Sequence, residues 1–537
     1  MKKLLCALIC GALLAGCTAP AGQTAPPPAS VSTGDFETKW ADSGFVRILL
    51  DGDLPSVTLP EGAPEDAVTI ASDIIYYEAG HDESYGEGSE GEAHSAEEAA
   101  KHTVVHINAP GTYVLSGTLP AGQIAVDLGE AAKEDPAAVV TLILDGADIT
   151  CTVAPAVIFY NVYECGDTKN PTATVDTSAA GANVILAEGS RNFVTGSHVA
   201  KIYKPGTEDK LHKYDAAFYS RMSMNISGEG ALDIAADNEG LDSELHLTVN
   251  SGDIRIRSGN DGINTNEDGV SVTTINGGSL YIEVTGETGE GDGIDSNGWL
   301  VINGGTVFAY ACAASGDSGI DSDMGIHLGG GTVIATGNML DRIEDGGQTH
   351  AVFQFAQPQT GGSYTLKDQK GTAVIECQAP HGFQNLILSS PGLTEGTYTL
   401  WCGDTQLAGV AGQGGRPFFG EMGPIERPEW PDRGDGDVEI PPQPTMPIVT
   451  QGTVQPPRGE RPEDMPVPPM PGEGTDMPTP PMPQGSEEMP MPSLPAGVEP
   501  PQDGVQGHIL FPAAGILSTD FPITQGANYF SQVRPGE

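Results

Sequence analysis

The chain has 537 residues, with 73 Asp and Glu against 24 Lys and Arg, and a formal net charge of −49 at pH 7. A field of that sign excludes nucleic acid and anionic lipid as direct partners and attracts cations, divalent ones above all. The eight cysteines show neither CxxC spacing nor a disulfide framework, and no HExxH string occurs, so nothing points to zinc or iron.

At the start of the chain, Lys2 and Lys3 precede an apolar run, residues 4–14. The run is too short for a bilayer span of about 20 residues and reads as an export signal. Leu14-Ala15-Gly16-Cys17 then matches a lipobox. Residues 1–17 are the expected signal peptide and Cys17 the expected lipidation site. This predicts a bacterial lipoprotein on the extracellular face of the cell membrane, touching the membrane only through its lipid anchor. Residues 18–35, mostly Ala, Pro, Thr and Ser, form a flexible tether. Five cysteines remain beyond it. Cys151 and Cys165 stay open between a disulfide and two buried thiols.

Residues 36–405 are rich in Gly, Val, Ile, Thr and Asp in short alternating runs with almost no helical period, which predicts an all-β domain. An acidic insert at 79–101 interrupts it as a helix or loop. Residues 406–506 are rich in Pro, Gly and Met, and 417–501 alone hold 24 of the 43 prolines. Such a segment cannot pair strands, and is expected to be disordered or extended. Residues 507–537 regain β character and are candidates to return to the β domain.

A repeat organises that domain. Four segments align on Gly252, Gly278, Gly305 and Gly331. Apolar residues recur three before the anchor (Val249, Ile275, Ile302, Leu328), two after it (Ile254, Leu280, Val307, Val333) and four after it (Ile256, Ile282, Ala309, Ala335). Asn250, Asn276 and Asn303 form an amide column. One repeat cannot bury its apolar side, but stacking repeats about 4.8 Å apart does. The expected architecture is a parallel β-helix, a solenoid with coils of about 26 residues.

A second column reads Gly240-Leu241-Asp242-Ser243, Gly262-Ile263-Asn264-Thr265, Gly293-Ile294-Asp295-Ser296 and Gly319-Ile320-Asp321-Ser322, with Glu239, Asp261, Asp292 and Asp317 close by. From Asn264 to its anchor glycine there are four extra residues. Stacked carboxylates repel unless something neutralises them. Calcium, which takes oxygen ligands, is the expected neutraliser; Gly-Asp as plain turn chemistry is the alternative for any single site.

The run from Asn238 to Tyr310, with Ala109–Gly117, Val140–Asp148, Tyr214–Ser220 and Leu388–Tyr398, resembles the clostridial carbohydrate-binding β-helix family over about residues 65–405. The resemblance implies a right-handed parallel β-helix, bound calcium (Ca2+), and binding of acidic plant polysaccharide (polygalacturonate) or cellulose without cleavage. Carried over by position, the metal candidates are Asp242, Asp261, Asp292, Asp295, Asp317 and Asp321, with Asn264 in the same column. The chain departs from the family pattern at Asp215-Ala216, which weakens a calcium site there.

Positions between the core columns should point outward. Tyr281, Phe308 and Tyr310 would form an exposed aromatic strip for sugar rings, and Arg255 and Arg257 could pair with carboxylates. Cover by residues 508–533 is the equal alternative. Two other functions remain in view. One is a pectate-lyase-like enzyme, although Arg255 and Arg257 are the only Lys or Arg between residues 231 and 341. The other is a structural surface adhesin, to which Arg433-Gly434-Asp435 adds only a weak signal.

Overall fold

The computed structural model describes residues 38–74 except 53 and 73, residues 98–412 except 99, 199–201, 204–209 and 213, and residues 516–536. The signal peptide, Cys17, the tether, nearly all of the acidic insert and residues 413–515, Arg433-Gly434-Asp435 included, lie outside the described residues. The described chain is nearly all β, with a single-turn 3-10 helix at Glu130–Glu134. No helix among the described residues is long and apolar enough to cross a membrane.

Three parallel ladders recur in a fixed order, so that the chain passes through each in turn before starting again. The first runs through Thr103–Ile107, Gly122–Asp127, Val157–Asn161, Ala216–Ser220, Glu239–Ser243 and Ile263–Thr265. Single bridges extend it from Ile263 to Ile294 and Ile320. The second runs through the front half of Val140–Thr150, then Ala182–Leu186, Met224–Gly228, His246–Val249, Val272–Ile275, Trp299–Ile302 and Gly325–Leu328. The third takes the back half of Val140–Thr150, then Arg191–Gly196, Ala231–Ala236, Asp253–Ser258, Ser279–Val284, Thr306–Tyr310 and Thr332–Gly337.

The registers coincide with the sequence columns. Ile254, Leu280, Val307 and Val333 pair in succession, as do Val249, Ile275, Ile302 and Leu328. All eight are 0–1 % exposed. Each such side chain contributes about 1.5–3 kcal/mol of burial, an upper figure because unfolded chains already hide some surface. The four extra residues fall between the first and second ladders, where pairing moves from Ser243↔Thr265 to His246↔Val272.

Two glycine columns have different causes. Gly252, Gly278, Gly305 and Gly331 all turn with positive φ, at 113°, 82°, 79° and 80°. Gly240 and Gly262 are needed for space. A Cβ there would sit 2.2 and 2.1 Å from Cγ2 of Ile256 and Ile282, on the third ladder. The first ladder therefore closes directly onto the core column of the third.

Parallel growth ends at Thr332–Gly337, which pairs antiparallel with Phe383–Ser389. A mostly antiparallel β module follows, closed by Ala527–Pro535, which pairs parallel with His350–Gln359 and antiparallel with Thr405–Ala411. Its core of Phe353, Phe355, Tyr364, Phe383, Phe521 and Phe530 also takes in Tyr310 and Ile334. All five cysteines beyond Cys17, Cys151 and Cys165 included, are free thiols.

Candidate functional site: an acidic row on the first ladder

Alternation along the first ladder decides which residues form the site. Leu241, Ile263, Ile294 and Ile320 point into the core and are 0 % exposed. Ser243, Thr265, Ser296 and Ser322 are also buried and form hydroxyl bonds, Thr265 Oγ1 lying 2.8 Å from Ser296 Oγ. The residue between these two inward positions must leave on the opposite side. That residue is Asp242, Asn264, Asp295 and Asp321 in successive passes, with Asp242 paired in register with Asn264.

The row resolves into two carboxylate triads. Asp215, Glu239 and Asp242 bring carboxylate oxygens within 4.8 Å of one another and are all buried; Asp292, Asp295 and Asp321 do the same and are half-buried. The buried triad is tied to its neighbours by amides. Asn264 Nδ2 donates to Glu239 Oε1 at 3.1 Å, and Asn266 Nδ2 donates to both oxygens of Asp242 at 3.1 and 3.0 Å. Asn264 is therefore a donor to the triad through its nitrogen. Its Oδ1 accepts no hydrogen bond among the described residues.

Three predicted site residues, Asp292 of the half-buried triad among them, hold backbone. Asp261 Oδ1 accepts from the N–H of Asp292 at 2.7 Å, and Asp292 Oδ1 accepts from the N–H of Ser318 at 2.5 Å. Asp317 Oδ2 accepts from the N–H of Gly291 at 2.6 Å and from Ser315 Oγ. The carbonyls of Asp261, Asp292 and Ser318 accept the equivalent N–H of Gly240, Gly262 and Gly293. Ser318, not Asp317, thus occupies the acid position of the last pass. Asp317, named in the sequence as lying close to the column, stands one residue before that position.

Asp215 and Glu239 are the residues that motif reading placed poorly. The departure at Asp215-Ala216 suggested a weakened site there. The pairing Ala216↔Glu239 brings Asp215 into the buried triad. The signal that could have found it is the alignment of 215–220 with 238–243, in which Ala217 stands at the Gly240 position and Tyr219 at the Asp242 position.

The electrostatics follow from crowding in a buried row. Burial raises the Asp261 carboxyl well above the usual carboxylate range, with Asp295 adding to it. Burial and the Asp321 charge do the same at Asp292. Burial and the Asp341 charge do so at Asp321. Asp341 itself is pushed up by burial to about 6. A row of hard oxygen donors whose ionised form is disfavoured can accept a proton or a cation.

The third ladder carries the residues expected to face ligand, and their exposure declines along it. Arg255 and Arg257 are exposed, Tyr281 and Glu283 half-buried, Phe308 half-buried, and Tyr310 only 1 % exposed. Tyr281 and Tyr310 stand edge to face at 5.6 Å. The expected exposed strip is corrected at Tyr310, which the C-terminal antiparallel module covers. Tyr281 and Phe308 pack against the same module and keep part of their rings outside. Arg255 lies 3.6 Å from Asp253 in an exposed pair that water screens.

Residues 101–352 match the family described as "Carbohydrate-binding domain-containing protein". A protein of that description from Acetivibrio thermocellus is 30 % identical over 155 residues, covering 29 % of this chain and 45 % of that protein. The chain therefore spans less than half the length of that relative. A solved structure titled as a polysaccharide lyase-like protein from C. thermocellum, a gadolinium derivative, aligns with TM-score 0.33 and 22 % identity. It covers 53 % of this chain and 92 % of that one.

Proposed function

We propose that the protein is a non-catalytic, calcium-dependent binder of acidic or plant cell-wall polysaccharide, anchored to the outer face of the cell membrane through a lipid on Cys17. The observation that carries the reading is the half-buried triad Asp292, Asp295 and Asp321, three carboxylates from two successive passes of one ladder with oxygens within 4.8 Å of one another. The match of residues 101–352 to a carbohydrate-binding family supports the ligand class. The recurrence of three parallel ladders in fixed order supports the right-handed parallel β-helix reading of residues 36–405.

The residues fit a calcium ion. The donors are all oxygen, and their raised carboxyl pKa values mark charge that a cation would relieve. Asp292, Asp295 and Asp321 would hold one ion, and Asp215, Glu239 and Asp242 a more enclosed one. When bound, the ion supplies positive charge that lets a uronate carboxylate approach an acidic surface. The chain's own residues do the rest. Asn266 fixes Asp242 through both oxygens, and the Ser318 and Asp292 N–H groups fix the carboxylates of Asp292 and Asp261. Arg255, Arg257 and the outer parts of Tyr281 and Phe308 offer charge and ring faces on the third ladder. Binding is favoured over cleavage because the two arginines that a lyase would use as base sit on a different ladder from the acidic row.

The test is electrophoresis of the chain from residue 18 onward through gels containing polygalacturonate, with calcium and with chelator, alongside ultraviolet detection of unsaturated product. Retardation in calcium alone, without product, is expected. Product formation would favour the lyase alternative. Free migration in both gels would rule out uronate binding and favour a neutral glycan or a structural role.

A further inference from the structure

A groove of 540 Å³ runs along the outer side of the second ladder, apart from the acidic row. Its floor is made of outward side chains that follow one another in register: Asn183, Asn225, Thr248, Thr274 and Val301. A second row, Asn250, Asn276 and Asn303, edges it. One wall is the segment 173–178. Thr177 pins that wall to the floor. Its Oγ1 bonds Asn225 Oδ1 and Thr248 Oγ1 at 2.7 Å each, and its carbonyl accepts from Asn225 Nδ2 at 2.7 Å. The groove is therefore preformed, which lowers the ordering cost of binding.

From its lining we infer that this groove is a second glycan site, for an extended neutral polysaccharide, and that it works without calcium. Among the described residues, Asp176 is the only ionisable group of the lining, and it sits on the exposed wall, so they offer no counter-charge for a uronate or phosphate. No aromatic residue among the described residues lines it, so recognition falls to hydrogen bonds. The floor strands pair on both sides, leaving no sheet edge for a peptide to extend.

What the groove offers is spare neutral hydrogen bonding. Asn276 Nδ2 donates to Asn250 Oδ1 and Asn303 Nδ2 to Asn276 Oδ1, each at 3.0 Å. A carboxamide has two N–H donors, so each of these amides keeps one beyond the ladder. All three are exposed. Sugar hydroxyls, which both donate and accept, match such a row. The row repeats every ~4.8 Å, so an extended chain of pyranoses can present hydroxyls to successive passes of the ladder. The inference shares with the proposed function the premise that the protein binds glycans, but it needs neither the acidic row nor a cation.

The experiment is calorimetric titration of the chain from residue 18 onward with cellohexaose, xylohexaose and mannohexaose, all in chelator. Two variants report on the groove: Val301→Glu, which places bulk and charge on the floor, and Thr274→Val, which removes one hydroxyl at constant shape. Both are checked for wild-type thermal unfolding. The expected result is binding of at least one neutral hexaose in chelator, abolished by Val301→Glu and weakened about fivefold by Thr274→Val. Absence of binding by all three sugars would overturn the inference, as would binding that both folded variants retain. Loss of calcium-dependent retardation in polygalacturonate, with hexaose binding intact, would sink the proposed function and leave this one standing.

Discussion

The Asp261 carboxylate accepts a hydrogen bond from the backbone N–H of Asp292, its neighbour on the next pass of the ladder, at 2.7 Å. Asp292 repeats the contact with Ser318 at 2.5 Å. Each acid thereby fixes the turn that carries the next one. The same contacts lower its carboxyl pKa, yet burial and neighbouring charge outweigh them and raise both groups. The row is held in place by backbone while remaining short of positive charge.

Neutralising one carboxylate should therefore have opposite effects with and without calcium. Asp321→Asn removes a charge that is raised by burial and by Asp341. In chelator the variant should unfold at higher temperature than wild type. With calcium the order should reverse, because a ligand at about 100 times its dissociation constant adds about 2.7 kcal/mol only where its site is intact. Calorimetric melts in the two buffers read both signs.

The metal-free chain should lose stability as pH rises from about 4 toward 8. Asp261, Asp292, Asp321 and Asp341 have folded-state pKa values raised above the unfolded value of about 4. For such groups the stability is present below the unfolded value and lost as pH rises through the folded one. His246 acts at the other end. Burial lowers its pKa to about 4, so its contribution is lost as pH falls from about 6.5 toward 4. Above about pH 6.5 His246 is neutral in both states, and the decline toward pH 8 in chelator belongs to Asp261 and Asp321, whose carboxyls are raised to about 8. Urea titrations across that range should show the decline, and calcium should flatten it.

The anchor glycines should be separable into strain and clash. Gly278 has φ 82° and a Cβ there would lie 2.6 Å from the Gly252 carbonyl oxygen. Gly346 has φ 89° with open space around the same position. Gly346→Ala should cost about 1 kcal/mol from backbone strain alone. Gly278→Ala should cost on the order of 2–3 kcal/mol, since the ladder must also move. Denaturant midpoints of the two variants check the difference.

Residues 413–515 should be removable. Val410 pairs with Leu517 and Gly409 with Ser518, so the chain leaves and re-enters the antiparallel module at adjacent positions. Replacing 413–515 by a short Gly/Ser turn should leave cooperative unfolding intact and add about 2–3 kcal/mol from the shorter loop. A molten or aggregated product would show that the segment contributes to the fold.

The parts of the fold that repeat were legible in the sequence. The anchor at Gly252, Gly278, Gly305 and Gly331 predicts the observed register, and the Asn250, Asn276 and Asn303 column forms the amide ladder. Departures from the repeat were not. Asp215 precedes Ala-Ala-Phe-Tyr rather than a Gly-Ile-Asp turn, so only strand pairing brings it to Glu239 and Asp242. Asp317 stands one residue before the position of Asp261 and Asp292, which Ser318 fills, so its bond to the Gly291 N–H comes from the fold and not from the repeat. Tyr310 is covered by strands from residue 350 onward, a non-local contact with no local signal. The groove beneath residues 173–178 was missed for a related reason. Its wall is an irregular connection, and a lining of Asn and Thr reads in sequence as ordinary polar surface.

The central claim is that the half-buried triad binds a cation that recruits uronate. The most direct measurement is calorimetric titration of an oligogalacturonate into wild type and into Asp292→Asn/Asp321→Asn, in calcium and in chelator. A binding isotherm is expected for wild type in calcium alone, and none for the double variant in either buffer although it remains folded. Equal binding by the double variant, or binding by wild type in chelator, would contradict it.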